Sequence, residues 1–383
     1  MCRKAKQTVA VVAVSTFFLV LPACSSQSSG SAGAGARAGP EIHDLALIDA
    51  KTGKIDRDFP DSNRGSEIGS IVSDRTDGWY IGGIFTQVGN SMRNGIAHLR
   101  RDGSVDDAFI PDTPNSNGQA VDRIFLRGNV LYAAGDFGVV ALNARSGKLL
   151  WQTSTNGDPA LNLVYRKEIL YISGNFSQVD GVARTGIAAL DARSGKLTSW
   201  KVRLSGFKGE RVTVGAMSLA GGIVYFSGPF GRVDGIKRPG LAAVRASTGR
   251  PTGWTAKPAN VVNSFESGID SILVTHGQVL LGSTMGGLAA LDARTGRALT
   301  WPRRLAGSAY AFALSGNTVY LGAADAGFTR AGGKPANSLA SVVLPKGMFT
   351  NWRPNLGRCT LVGAIAVSGR KVLVGGSFSP QSC

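Results

Sequence analysis

Seven times along this chain the same pattern returns: an apolar run, a glycine at a fixed place after it, and a large aromatic residue that closes the copy. The copies are LALIDAKTGKIDRDF (45–59), IAHLRRDGSVDDAF (96–109), VVALNARSGKLLW (139–151), IAALDARSGKLTSW (187–200), LAAVRASTGRPTGW (241–254), LAALDARTGRALTW (288–301) and LASVVLPKGMFTNW (339–352). Their starts lie about 49 residues apart, a period at which one unit cannot bury its apolar face alone and must stack on like neighbours. The glycine, Gly53 in the first copy and Gly347 in the last, sits where a hairpin turn needs a residue with positive φ. The closing aromatics Phe59, Phe109, Trp151, Trp200, Trp254, Trp301 and Trp352 share one repeat position, which suits wedges packed between neighbouring sheets better than a ligand stack.

Between each aromatic and the next copy two more strand-like runs recur, for example 123–126 with 130–134 and 311–314 with 318–322. Tight turns such as Arg127-Gly128-Asn129 and Ser315-Gly316-Asn317 join them, giving four antiparallel strands per period, with no helical periodicity anywhere. That arithmetic predicts an all-β fold over 41–383, a seven-bladed β-propeller with four antiparallel strands per blade. An open β-solenoid, with shorter coils, is the competing architecture. The pair of strands in 45–59 should complete a sheet with the pair near 364–376, so that one blade is shared between the two ends of the repeat array.

The strings Gly82-Gly83-Ile84-Phe85-Thr86-Gln87-Val88 and Arg93-Asn94-Gly95-Ile96-Ala97 resemble the delta-60 repeat of bacterial surface proteins, as do Gly174-Asn175-Phe176 with Arg184-Thr185-Gly186 and Gly228-Pro229-Phe230 with Arg238-Pro239-Gly240. The pieces LDARTGRALTW (291–301) and ALNARSGKLLW (141–151) are similar to the repeats of quinone-cofactor (PQQ) dehydrogenases and of related propellers without cofactor. Both resemblances imply propeller blades. The dehydrogenases have eight blades, calcium-binding carboxylates and often an adjacent cysteine pair, whereas this chain has seven copies and no adjacent cysteines, so the resemblance implies the blade without the cofactor.

Ahead of the repeats, Arg3, Lys4 and Lys6 precede an apolar run over 9–21 and then small residues, which reads as a signal peptide over 1–23, too short for a spanning helix. Leu21-Pro22-Ala23-Cys24 resembles the lipobox of bacterial lipoproteins, which implies cleavage before Cys24 and a lipid on its sulfur. An ordinary secreted chain with a free Cys24 thiol is the alternative. Residues 24–40 are nearly all Ser, Gly and Ala, a composition that predicts a flexible tether. With Cys2 lost in the leader, Cys359 and Cys383 are left to pair as a disulfide in an oxidising compartment, or else to stand as two free thiols. The expected place is therefore extracytoplasmic, lipid-anchored to the bacterial cell membrane. The chain carries 42 Lys+Arg against 25 Asp+Glu, a balance that favours an anionic envelope polymer or a protein as partner and serves solubility as well. Nucleic acid is not expected outside the cell.

The search for chemistry finds little. Three histidines, no CxxC and no phosphate-cradling loop yield no expected metal, cofactor or catalytic set. Asp49, Asp191 and Asp292 share a repeat position and read as turn-entry residues. Asp122 and Asp270 fall at the start of inner strands, near Ser70, Asn162 and Ser271 at related positions; they are candidates to bind a cation or sugar, or to satisfy backbone groups at a strand end. One set of connections is all tight turns carrying Lys54, Lys148, Lys196, Arg250 and Arg297. The other set is long, and Arg93, Arg184 and Arg238 recur in it as candidate ligand donors or as caps on backbone carbonyls. Three functions fit: a binding or scaffolding propeller with its site on the long-connection face; an extracellular hydrolase of wall glycan using Asp122 and Asp270; or an assembly part docking through an apolar patch near Phe207 in the connection 201–213.

Overall fold

The computed structural model describes residues 44–56, 59, 66–114, 119–207, 211–256, 268–283, 287–301, 305–323, 328–356 and 360–378. Cys24, Cys359 and Cys383, with the leader and tether, lie outside the described residues, and the lipid and disulfide expectations lie outside them too. The described residues form strands and turns only, and no helix among them is long and apolar enough to cross a membrane. The chain also divides into units at residue 39, and everything below concerns the second, Pro40–Cys383.

Each repeat places its strands in one antiparallel sheet, with the run after the long connection innermost. The inner strands are Glu67–Ser73, Val121–Arg127, Ala160–Arg166, Ala216–Ala220, Ser271–Thr275, Ala311–Ser315 and Leu361–Ser368. Every one packs against the inner strand of the next sheet, and Leu361–Ser368 packs against Glu67–Ser73. The last sheet joins the two ends of the array as expected: Leu45–Asp49 pairs with Lys371–Ser377 in the register Leu47↔Leu373, between Ile55–Asp56 outside and Leu361–Ser368 inside.

The turn glycines have positive φ, from 65° at Gly347 to 85° at Gly103, as the hairpin requires. They also admit the aromatic of the preceding repeat: a Cβ on Gly195 would lie 2.5 Å from the Trp151 ring, and one on Gly347 would lie 2.3 Å from Trp301. The aromatics are thus wedges between sheets. Trp200 and Trp254 donate Nε1–H to the carbonyls of Arg245 and Asp292 in the following repeat, and Trp352 donates to Asp49.

A second tie was not foreseen. A tyrosine on the second strand packs on the wedge and donates its hydroxyl to a carbonyl of the next repeat: Tyr80 to Ala144, Tyr132 to Ala192, Tyr171 to Ala246, Tyr225 to Ala293 and Tyr320 to Ala50. Where the tyrosine is missing, Gln278 reaches Pro345 O and Lys371 reaches Arg101 O. Among the described residues, each sheet that carries one of these inner strands is therefore tied to another by a side chain.

The fourth strand departs from expectation. It is a full strand at Leu149–Thr153, and short at Met348–Phe349 and Ile55–Asp56, but in four sheets it shrinks to a single bridge such as Leu190↔Leu197 or Val244↔Pro251. A threonine two residues before the tryptophan explains two of these sheets. Thr198 and Thr252 return their hydroxyls to the carbonyls of Ala189 and Ala243, and each accepts the amide of the following Trp, an ST turn that ends the ladder. KLLW at 148–151 has no such threonine, and its strand continues.

Candidate binding site

All inner strands run from a long connection toward a tight turn, so their first residues lie at the same end of the sheets. A recurrent bulge marks that end: the register skips between Ile68 and Ser70, Val121 and Arg123, Ala160 and Asn162, and Val362 and Ala364. The glycine closing the second strand makes room for it, since a Cβ on Gly135 would lie 2.0 Å from Ala120 O and one on Gly83 2.0 Å from Glu67 O. Bulges re-aim side chains. In the second sheet the residue in the bulge is Asp122.

Five polar groups interact at these strand starts: Glu67, Asp122 and Arg123, Asp270, and Tyr310. They come from four sheets, which form two neighbouring pairs that do not adjoin each other in the order above. Burial is the main reason that the Glu67 carboxyl is pushed up to about 7. Asp122 is also pushed up to about 7, by burial first and then by the charges of Asp136 and Glu67, against the opposing pull of Arg123. Burial holds the Arg123 guanidinium below its ordinary value, while Tyr310 and Asp122 counteract it. Tyr310 rises to about 12 through burial and the nearby charges of Asp270, Glu67 and Asp122. Asp122 Oδ2 and Arg123 Nε are buried with no hydrogen-bond partner. All five residues keep part of their surface exposed, although Asp122 Oδ2 and Arg123 Nε themselves are buried.

Asp122 and Asp270 both act on Tyr310, and Glu67, Arg123 and Tyr310 were not among the sequence candidates. An arginine directly after Asp122 was the available signal for one of them. Ser70 and Ser271 are structural: Ser70 Oγ accepts from Ile124 N at 3.0 Å, and Ser271 Oγ donates to the Tyr310 carbonyl, setting Tyr310 beside Asp270. Asn162 is buried at the start of its strand. Among the described residues no group of His, Cys, Asp and Glu has metal-holding geometry.

The recurrent arginines do something else. Arg93, Arg184 and Arg238 each donate to the carbonyl of the residue before them and to a carbonyl of their own sheet's outer segment, Asp106, Thr198 and Thr252. Those bonds are the carbonyl caps of the second alternative, and they pin the hairpins of the long connections. The hairpin tips carry Asp180 and Asp234, both at φ 47°, whose carboxylates accept the amides of Ser154 and Arg203 from the preceding repeat. Phe207 is not an exposed patch; it is half-buried, its ring 3.4 Å from the Cβ position of Gly231. Among the described residues of the hairpins, Met92, Val182 and Ile236 on the second strands are exposed, at 68%, 47% and 46%.

Compared with known proteins, residues 127–333 match the family model described as outer membrane protein assembly factor BamB, and residues 76–109 match that of a β-propeller domain of unknown function. No curated protein matches the chain. Among solved structures, the computationally designed Ika8 protein is 16% identical with a TM-score of 0.55, over 89% of both chains. The extracellular domain of a putative one component system from B. thetaiotaomicron is 16% identical with a TM-score of 0.52, over 87% of this chain and 39% of that one. BamB from Moraxella catarrhalis is 17% identical over 86% of this chain and 91% of its own, with a TM-score of 0.48. At such identities the two likenesses with TM-scores above 0.5 concern the fold alone.

Proposed function

The chain belongs to the family described as outer membrane protein assembly factor BamB, and from that premise we propose that it is a membrane-anchored, extracytoplasmic scaffolding propeller that docks a protein through its long-connection face. The reading includes a closed ring of seven blades, supported by the succession of inner strands and by the side-chain ties that lead from each sheet to the next. It includes an anchor at Cys24, supported by Leu21-Pro22-Ala23-Cys24 and the Ser/Gly/Ala tether, and a Cys359–Cys383 disulfide, supported by the oxidising compartment that the leader implies.

The observation that carries the docking face is the contrast between the two ends of the sheets. One end is tight turns with scattered basic residues. The other carries hairpins braced by Arg93, Arg184 and Arg238, and rigid loops with exposed apolar residues are where a protein interface finds its contacts.

One preparation tests these parts. The full chain should sediment with membranes and Cys24→Ser should not, and the oxidised protein should show no reactive thiol. Val182→Asp with Ile236→Asp should abolish capture of the partner from solubilised envelope, while Lys148→Glu, Lys196→Glu and Arg297→Glu together should leave it intact. The reverse pattern of capture would move the interface to the tight-turn face.

A further inference from the structure

We propose that His98, held between the carboxylates of Asp74 and Asp106, is a pH-sensitive latch: its doubly protonated ring fastens the outer segment of the first sheet, and through it the hairpin that carries Met92, and loss of a proton loosens both. The latch stands apart from the docking of a protein.

It lies where the first repeat departs from others. In the sheets of Ala160–Arg166 and Ala216–Ala220 the outer segment is fastened by an uncharged bond, Thr198 Oγ1 to Ala189 O at 2.8 Å and Thr252 Oγ1 to Ala243 O at 3.1 Å. In the first sheet the backbone bond from Asp106 N to His98 O is kept, at 2.8 Å, but His98 and Asp106 take the places of alanine and threonine. Their side chains meet instead. His98 Nδ1 lies 2.9 Å from Asp106 Oδ2, and Nε2 lies 3.1 Å from Asp74 Oδ2.

Both ring nitrogens thus face a carboxylate oxygen. A neutral imidazole has one N–H, so its other nitrogen would turn a lone pair toward a carboxylate, whereas the imidazolium donates to both. The two acids are held ionised. Burial pulls Asp74 upward, but the Thr76 amide, His98, the Thr76 hydroxyl and the Gly78 amide outweigh it; burial pulls Asp106 upward as well, and His98, the Ala108 amide and Arg100 outweigh it. The ring is confined, stacked on Tyr80 at 4.3 Å with Phe109 edge-on, and its side chain is 14% exposed. The titratable and charged groups around it are Asp74 from the turn after the inner strand, Tyr80 from the second strand, and Asp106 with its partner Arg100. Tyr80 keeps its hydroxyl on Ala144 O, and Asp77 and Arg101 pair with each other.

The outer segment leads on to the hairpin. Arg93 donates to the Asp106 carbonyl at 3.4 Å and to the Asp107 carboxylate at 3.2 Å, and Ser91 Oγ reaches the same Asp107 oxygen at 3.5 Å. Loosening the segment therefore loosens Gln87–Met92. The latch is complete where an exposed histidine is already charged, below about pH 6.5, and is lost as pH rises above that.

Hydrogen exchange read by mass spectrometry on the full chain, corrected at each pH with the unfolded chain, tests the latch in peptides spanning 87–109, with the equivalent 178–200 as internal control. Protection over 87–109 should fall at least ~5-fold between pH 6 and pH 8.5, while that over 178–200 should change by less than about twofold. His98→Gln, of similar reach and without charge, should abolish the dependence. If that variant fails to fold, Asp106→Asn serves: its amide can donate to an unprotonated ring nitrogen, so the fall should shrink to about twofold or less. Equal protection of 87–109 at the two pH values, a matching fall over 178–200, or a dependence that survives His98→Gln or Asp106→Asn would each overturn the proposal.

Discussion

The rim of this molecule and the starts of its inner strands are built by opposite rules. At the rim one solution is repeated: a tryptophan seated on a turn glycine of the next sheet, and a tyrosine hydroxyl on its carbonyl. Substitutions within the pattern compensate one another. In the first sheet the wedge is the smaller Phe109. There His98 replaces the alanine found at 189 and 243, stacks on Tyr80 at 4.3 Å, and bonds Asp74 at 3.1 Å and Asp106 at 2.9 Å. At the inner-strand starts the residues vary more: a bulge recurs in four sheets, but the residue it carries is Gly69, Asp122, Leu161 or Gly363. Regularity marks what holds the sheets together, and the departures mark where the chain is free to carry function.

The comparison breaks most visibly if the rim tolerates truncation. Trp200 is 7% exposed and packs edge-on against Tyr171 at 5.2 Å, so Trp200→Ala should destabilise by about 3–5 kcal/mol in urea denaturation, with the fold otherwise retained. A loss below ~1 kcal/mol would mean that the wedge is not what joins the third sheet to the fourth.

A smaller effect isolates the tie. Tyr171→Phe keeps the ring and removes only the hydroxyl that donates to Ala246 O at 2.6 Å. It should cost about 1 kcal/mol, mostly because the carbonyl is left without its donor. The same change at Tyr165, whose hydroxyl bonds the exposed Glu168 side chain at the surface, should be close to silent in the same denaturation series.

What the sequence made legible follows the same division. The strands, the positive-φ glycines and the aromatic wedges were readable because each recurs at a fixed offset, and so was the pairing of 45–49 with 371–377. The tyrosine ties were equally periodic yet escaped notice, because tyrosine in a strand reads as β propensity until its hydroxyl is followed to a partner. The shortened fourth strands turned on Thr198 and Thr252, whose hydroxyls compete with the ladder in a way that hydrophobic periodicity does not register. At the inner-strand starts only Asp122 and Asp270 were legible, as acids at a strand end. Glu67, Arg123 and Tyr310 join them through the third dimension, from copies of the repeat that carry no common residue there.

The finest test asks whether the inner-strand carboxylates lack the internal compensation that the rim enjoys. Glu67 and Asp122 titrate near 7 in the folded chain, above the ordinary carboxylate range of about 4. An acid with a raised folded pKa holds its proton more tightly folded than unfolded, so its contribution to stability is full below the unfolded value and is lost as pH climbs to the folded one. The carboxylates of the turns, Asp49, Asp191 and Asp292, are lowered by hydrogen bonds within their turns and work in the opposite sense, losing stability as pH falls. Comparing the wild type with Glu67→Gln/Asp122→Asn cancels the turns and leaves the inner pair. In thermal melts at matched ionic strength, the variant should gain on the wild type as pH rises from about 4 to about 7, and the difference should level off above that. A difference that stays constant over the window would mean that Glu67 and Asp122 ionise as freely as surface acids, which would return the inner-strand starts to the same rule as the rim.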